Sequence, residues 1–201
     1  MEDRVTLSSL PSPLGWQVPP ADWSLSEAES LTITAGPMTD LFINPQGGAP
    51  MLNAPRLLCP VEGDFLFSAN VLVDFAAKFD AGVLLIWSDD AHWAKLCLEY
   101  SPHGIPMVVS VVTRGVSDDA NGFEAASNEV WLRVARLGSA FAFHASTDGH
   151  QWELIRHFSL DTAAPIEIGL LAQSPTGSGC TATFDTVRFA AERLADIRNG
   201  E

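Results

Sequence analysis

Trp93-Ala94-Lys95-Leu96-Cys97-Leu98-Glu99-Tyr100 is the stretch on which the reading of this chain turns. In a strand, successive side chains point to opposite faces, so Ala94, Leu96, Leu98 and Tyr100 fall on one side and Trp93, Lys95, Cys97 and Glu99 on the other. The first face reads as core. The second sets an indole, an ammonium, a thiol and a carboxylate in a row, an expensive set to desolvate unless the face is wet or its groups are paired. The alternation therefore predicts a strand whose second face is the floor of a groove.

Working outward, the same pattern recurs. Arg56-Leu57-Leu58, Phe65 to Phe75 and Val83 to Trp87 precede the stretch, and Met107 to Arg114, Val130 to Arg136, Ala140 to Ser146, Gln151 to Phe158, Ile166 to Ala172 and Thr181 to Phe189 follow it. Each is rich in β-branched, aromatic or alternating residues. Gly63-Asp64, Asp80-Ala81-Gly82, Asp89-Asp90, Pro102-His103-Gly104, Leu137-Gly138-Ser139 and the hairpin signal Thr147-Asp148-Gly149-His150 separate them as turn chemistry requires. Many short strands at such spacing predict an all-β antiparallel sandwich.

Nearer the N-terminus, Pro11, Pro13, Pro19 and Pro20 flank Trp16 and Trp23, which predicts an extended segment with at most a short edge strand. Leu31-Thr32-Ile33-Thr34 is a strand, and Asn44-Pro45-Gln46-Gly47-Gly48-Ala49-Pro50 a loop. Only Ala190 to Arg198 is dense in helix formers, so a short C-terminal helix or frayed tail is expected there, with Leu194 and Ile197 touching the body. No composition shift marks a boundary. The chain reads as one sandwich domain over residues 1–201, with 1–30 a Pro/Trp-rich extension packed on it and 190–201 a tail.

The totals narrow the function. Twenty-five acidic residues against 11 Lys and Arg give a net charge of −14, the wrong sign for phosphate backbones or anionic lipid surfaces. We expect neither nucleic acid nor membrane as partner. A chain of 201 residues can bury about 70% of its unfolded surface, so it needs no metal or disulfide to fold. Cys59, Cys97 and Cys180 are odd in number and far apart, as three reduced thiols in a cytoplasmic protein would be. Met1-Glu2-Asp3-Arg4 does not open an export signal, and runs such as Gly82 to Trp87 are too short to span a bilayer.

Four motifs carry a family resemblance: Trp93-x-Lys95-x-x-x-Glu99-Tyr100; Val111-Val112-Thr113-Arg114-x-Val116-Ser117-Asp118; Trp131-Leu132-Arg133-Val134; and Ser146-x-Asp148-Gly149-x-x-Trp152. Gly63-Asp64-Phe65 and Phe79-Asp80-Ala81-Gly82 before them, and Gly169 to Ala172 and Phe184-Asp185-x-Val187 after them, extend the match to roughly residues 35–190. The chain resembles the regulation-of-enolase family, whose members have the concanavalin A-like lectin/glucanase jelly-roll sandwich. It departs from the family's pattern at Asp119, where an aromatic usually stands, and in having only Ala81 between Asp80 and Gly82.

The resemblance implies a curved sheet whose concave outer face holds sugars in related proteins. On that face we expect Trp93, Lys95, Cys97 and Glu99, with Trp87 and Asp89 at its rim. In the next strand either Ser110, Val112 and Arg114 or Val109, Val111 and Thr113 lie alongside. Arg114 is expected on the groove side, since a guanidinium does not sit unpaired in a core, and Thr113 is retained as a candidate. The Trp rings would stack on a sugar, while Lys95, Glu99 and Arg114 would bond its hydroxyls or an acidic substituent. The same groove could instead take a protein partner, and a second copy of the chain is one such partner.

Catalysis is the third reading, with Glu99 as acid/base in a glycan-active enzyme. Glycoside hydrolysis needs two carboxyls, and the chain lacks the Glu-x-Asp-x-x-Glu run of glucanases with this fold. A second carboxylate would have to come from another strand, such as Asp89 or Asp118. His92, His103, His144, His150 and His157 are dispersed, and His144 reads as structural. Asp118-Asp119-Ala120-Asn121-Gly122 reads as an acidic loop with oxygen ligands for Ca²⁺ but lacks a dedicated register. No metal and no cofactor is expected. Cys97 beside Lys95 is a thiol whose pKa the lysine would lower.

Overall fold

The computed structural model describes residues 4–201; Met1-Glu2-Asp3, whose charges entered the expectation about export, lie outside them. In chain order the strands are β1 (Arg4–Val5), β2 (Leu14–Val18), β3 (Asp22–Leu25), β4 (Leu31–Ala35), β5 (Leu41–Phe42), β6 (Met51–Leu52), β7 (Arg56–Val61), β8 (Phe65–Asp74) and β9 (Ala81–Asp89). There follow β10 (His92–Tyr100), β11 (Pro106–Arg114), β12 (Val116–Glu124), β13 (Glu129–Leu137), β14 (Ala140–Ser146), β15 (Glu153–Ser159), β16 (Ile166–Gln173) and β17 (Cys180–Ala190). Two antiparallel sheets result. The first runs β1-β2-β7-β16-β9-β10-β11-β12 and the second β15-β14-β13-β8-β17-β4-β3.

The sheets stack through one large core. Ala94, Leu96 and Leu98 of β10, Leu84 and Ile86 of β9, and Ile168 and Leu170 of β16 meet Phe65, Phe67, Val71 and Val73 of β8 and Phe143 of β14. Gly82 makes a close approach possible: a Cβ there would sit 2.7 Å from Val71 Cγ1 and 3.0 Å from Val73 Cγ2. At one side Arg156 of β15 pairs with Asp118 of β12 at 3.0 Å, tying the two sheet edges together. At the other, Trp16 of β2 and Trp23 of β3 bring their rings to 6.0 Å.

Three local expectations are corrected. The proline-rich N-terminus forms β1, β2 and β3, two pairing into the first sheet and one into the second, because its prolines fall between strands rather than inside them. The expected 44–50 loop is a loop, and it closes a small hairpin, β5–β6, pairing Leu41 with Leu52 and Phe42 with Met51. Asp118 to Gly122 is part of edge strand β12, not a loop, so consecutive acids face opposite ways instead of converging on an ion.

The third correction is the tail, which forms no helix. Residues 191–201 run as irregular chain with a terminal turn. Leu194 and the half-buried Ile197 pack on Ala135 and Ala142 of the second sheet. The Ile197 carbonyl accepts from His144 Nε2 at 2.9 Å, and the Gly200 carbonyl from Arg133 Nη2 at 2.8 Å. Arg133 also stacks on Trp152, 4.2 Å from its ring centre. These long-range bonds to carbonyls replace the local ones a helix would make. Burial pushes the His144 ring down to about 4, so it is neutral and structural.

Candidate functional site

Strand register turns the outer face of the first sheet into rows. Trp87, Trp93, Thr113 and Ser117 form one; Gly169, Leu85, Lys95, Val111 and Asp119 the next; then Leu171, Val83, Cys97, Val109 and Asn121; then Gln173, Ala81, Glu99, Met107 and Glu124. The parity predicted for β10 is the observed one. In β11 it is Val109, Val111 and Thr113 that share this face, not Ser110, Val112 and Arg114.

Most of this face is covered. Leu41, Phe42, Ile43, Leu52 and Ala54, from the β5–β6 hairpin and its flanks, pack on Trp87, Trp93, Cys97, Val109 and Val111 as a second apolar core. Trp93 is 0% and Trp87 3% exposed. Ser117 anchors the cover, its Oγ accepting from the Ile43 N–H at 2.9 Å and its N–H donating to the Ile43 carbonyl at 2.9 Å. Thr113 shares a hydroxyl hydrogen bond with Ser117 at 2.9 Å. On the other flank Arg56 stacks 4.4 Å from the Trp87 ring centre, donates to the Leu52 carbonyl at 2.8 Å and bonds Gln17. Neither indole has a face free for a sugar, because hydrophobic burial claims both.

The cover leaves one end open. There, Asp40, Phe42, Phe79, Lys95, Glu99, Val109, Val111, Asp119, Gln173 and Pro175 line a pocket of about 260 Å³. Lys95 lies at its base, 2% exposed. Its Nζ donates to Gln173 Oε1 at 2.9 Å and lies 3.6 Å from Asp40 Oδ1. Gln173 is held in turn by its Nε2 donating to the Phe79 carbonyl at 3.2 Å. Asp40 Oδ1 also accepts from the Leu41 N–H at 2.7 Å, so the acid that meets Lys95 belongs to the start of the hairpin.

Glu99 stands beside this network, partly buried. Burial raises its carboxyl to about 7; Lys95 opposes that shift, while Asp40 and Asp119 add to it. Near neutrality Glu99 can therefore donate or accept. Cys97 is different: fully buried, its thiol is driven up, and the lowering by Lys95 is much the smaller effect. The expected activation by lysine is overturned, and the thiol is inert packing.

The predicted residues thus fall into three places. Lys95 and Glu99 line the pocket, whereas Trp87, Trp93, Cys97 and Thr113 lie in the second core. Asp89 and Arg114 stand apart from the pocket lining, Asp89 hydrogen-bonded to His92 Nδ1 at 2.9 Å and Arg114 3.4 Å from Asp161. Arg114 pairs with His92 at the strand end, where a guanidinium reaches solvent without entering either core. Sequence reasoning missed Asp40, Phe42, Phe79, Asp119, Gln173 and Pro175. Asp119 was within reach, since alternation from Ser117 places it on this face; Asp118 points the other way. Among the described residues no group of three His, Cys, Asp or Glu is arranged to hold a metal ion, and no helix is long and apolar enough to cross a membrane.

Residues 16–192 match the family model described as "Protein of unknown function (DUF1349)". The chain is 30% identical over 127 residues to "Regulation of enolase protein 1" of Saccharomyces cerevisiae, an alignment covering 62% of this chain and 64% of that relative, just under two thirds of its length. A crystal structure described as a functionally unknown protein from Saccharomyces cerevisiae superposes with a TM-score of 0.83 at 23% identity, covering 90% of this chain and 97% of the other. A structure described as carbohydrate binding module CBM66 from Bacillus subtilis superposes with a TM-score of 0.57 at 14% identity, covering 87% and 94%. At these identities the structural matches establish a shared sandwich fold.

Proposed function

The chain belongs to the DUF1349 family, and from that premise we propose that it is a lectin-like, non-catalytic module binding a sugar or sugar-like small molecule in the pocket over Lys95, Glu99 and Gln173. The observation that carries the reading is the buried Lys95–Gln173–Asp40 network beside an uncommitted Glu99, opening into a pocket of about 260 Å³. Positioned donors and acceptors on rigid strands are what hydroxyl recognition requires, and Phe42, Phe79, Val109 and Val111 supply apolar surface for a sugar ring. The volume lies just under the usual drug-sized range, about 300–1,000 Å³, so the occupant is small. The Bacillus subtilis match described as a carbohydrate binding module supports the fold's suitability, and the yeast relative's name fits a regulatory use of such binding.

The trapped indoles take no part; the pocket replaces them with Phe42 and Phe79. The module works in the cytoplasm on this reading, which the three unpaired, buried thiols Cys59, Cys97 and Cys180 support. Glycan-array or ligand-detected NMR titration tests it, with Glu99→Ala and Lys95→Met as controls. Binding that both changes weaken at least tenfold is expected, and binding indifferent to both refutes the reading.

A second reading is favoured by one observation: a glutamate at about 7 among other carboxyls is poised as a general acid. Hydrolysis of a chromogenic glycoside panel, abolished by Glu99→Gln, would establish it in place of simple binding. A protein partner on the same pocket would instead appear as a stoichiometric complex lost with those variants.

A further inference from the structure

The pocket holds more acid than base. Asp40, Glu99 and Asp119 present three carboxyls to it against the single ammonium of Lys95. That ammonium is already committed, lying 2.9 Å from Gln173 Oε1 and 3.6 Å from Asp40 Oδ1 at the base of the pocket. Among the described residues neither Glu99 nor Asp119 receives a side-chain hydrogen bond or ion pair. An entering ligand therefore meets two open acceptors and no open cation. Carboxylates are acceptor-only when ionised and repel a sugar acid or phosphate, whereas a ligand ammonium has donors for them. The net charge of −14 adds long-range attraction of the same sign.

We infer that the pocket selects hydroxylated ligands that carry a protonated amine, an amino sugar in preference to its neutral or acidic counterparts. The inference rests on the pocket being a sugar site. It also predicts a pH signature. Glu99 titrates near 7, so its charge, and with it the grip on an ammonium, grows as pH rises through that value. A neutral sugar lacks this gain.

The experiment is a titration, by ligand-detected NMR at about pH 5.5 and about pH 7.5, of glucosamine, galactosamine and mannosamine beside their parent hexoses, their N-acetyl derivatives and glucuronate. An amino hexose is expected to bind on the order of tenfold tighter than its parent at the higher pH, as one well-placed charged pair provides. The preference should shrink at the lower pH and in Glu99→Gln. Asp119→Asn, at an exposed position of edge strand β12, should reduce the preference as well. Equal affinity for amine and parent, tighter binding of glucuronate, or a preference unmoved by both variants overturns the inference while leaving the sugar site standing. No binding by any member of the panel overturns both.

Discussion

Glu99 is the residue whose chemistry its surroundings change most usefully. Its carboxyl rises from the ordinary 4.5 to about 7, first through burial. A raised folded-state pKa means that stability is full below about 4.5, where both states are protonated, and is lost as pH climbs toward 7 and the folded form must carry a buried charge. Glu99→Gln should therefore be more stable than wild type at about pH 8, by about 1–3 kcal/mol, and the gap should close by about pH 4.5. Thermal melts across that range measure it. Lys95 acts in the opposite sense on the same carboxyl, so Lys95→Met should push the Glu99 midpoint higher still, as carboxyl-carbon NMR titration would report. A Glu99 midpoint unchanged by that substitution would remove the lysine from the account.

The β5–β6 hairpin decides what the outer sheet face becomes. It carries Leu41 and Phe42 onto Trp87 and Trp93 and brings Asp40 to Lys95, closing one end of the face and furnishing the other. Ser117 holds it through paired bonds to Ile43. Removing the hydroxyl by Ser117→Ala leaves the Ile43 N–H without its partner at a cost of about 1 kcal/mol. Hydrogen exchange should accelerate at Ile43 and its neighbours while β8 and β17 stay protected. Exchange unchanged in the hairpin would mean that its apolar contacts alone secure it. At the sheet-to-sheet contact, Gly82→Ala should destabilise by about 1–3 kcal/mol through overpacking against Val71 and Val73, read as a lower denaturation midpoint with an unchanged slope.

Across the whole molecule, the central strands of the first sheet are buried on both faces, one by the second sheet and most of the other by the hairpin cover. That explains the unbroken apolar run from Val83 to Trp87, which a strand with one wet face would not need. The thiols are enclosed as well, Cys97 under the hairpin cover and Cys59 and Cys180 in the core between the sheets, with burial raising Cys59 to about 11 and Cys180 to about 12. Alkylation of the native protein at about pH 8 should modify none of them over minutes, and unfolding in denaturant should release all three. Fast labelling of Cys97 in the native protein would show that the cover opens.

Alternation and turn chemistry were enough to determine the antiparallel strands, the two-faced character of β10 and the place of Lys95 and Glu99 on its outward side. These are properties of side-chain period and local backbone preference, legible one strand at a time. Only the tertiary structure decided which outward residues meet a ligand. Leu41 and Phe42 look like loop until they land on a strand some fifty residues away, and Asp40, Gln173 and Phe79 become neighbours of Lys95 solely through strand order and the hairpin's crossing. The same crossing turned Trp93, the most ligand-like residue of the opening stretch, into core, since apolar surface is buried by whatever segment reaches it and local sequence does not name that segment.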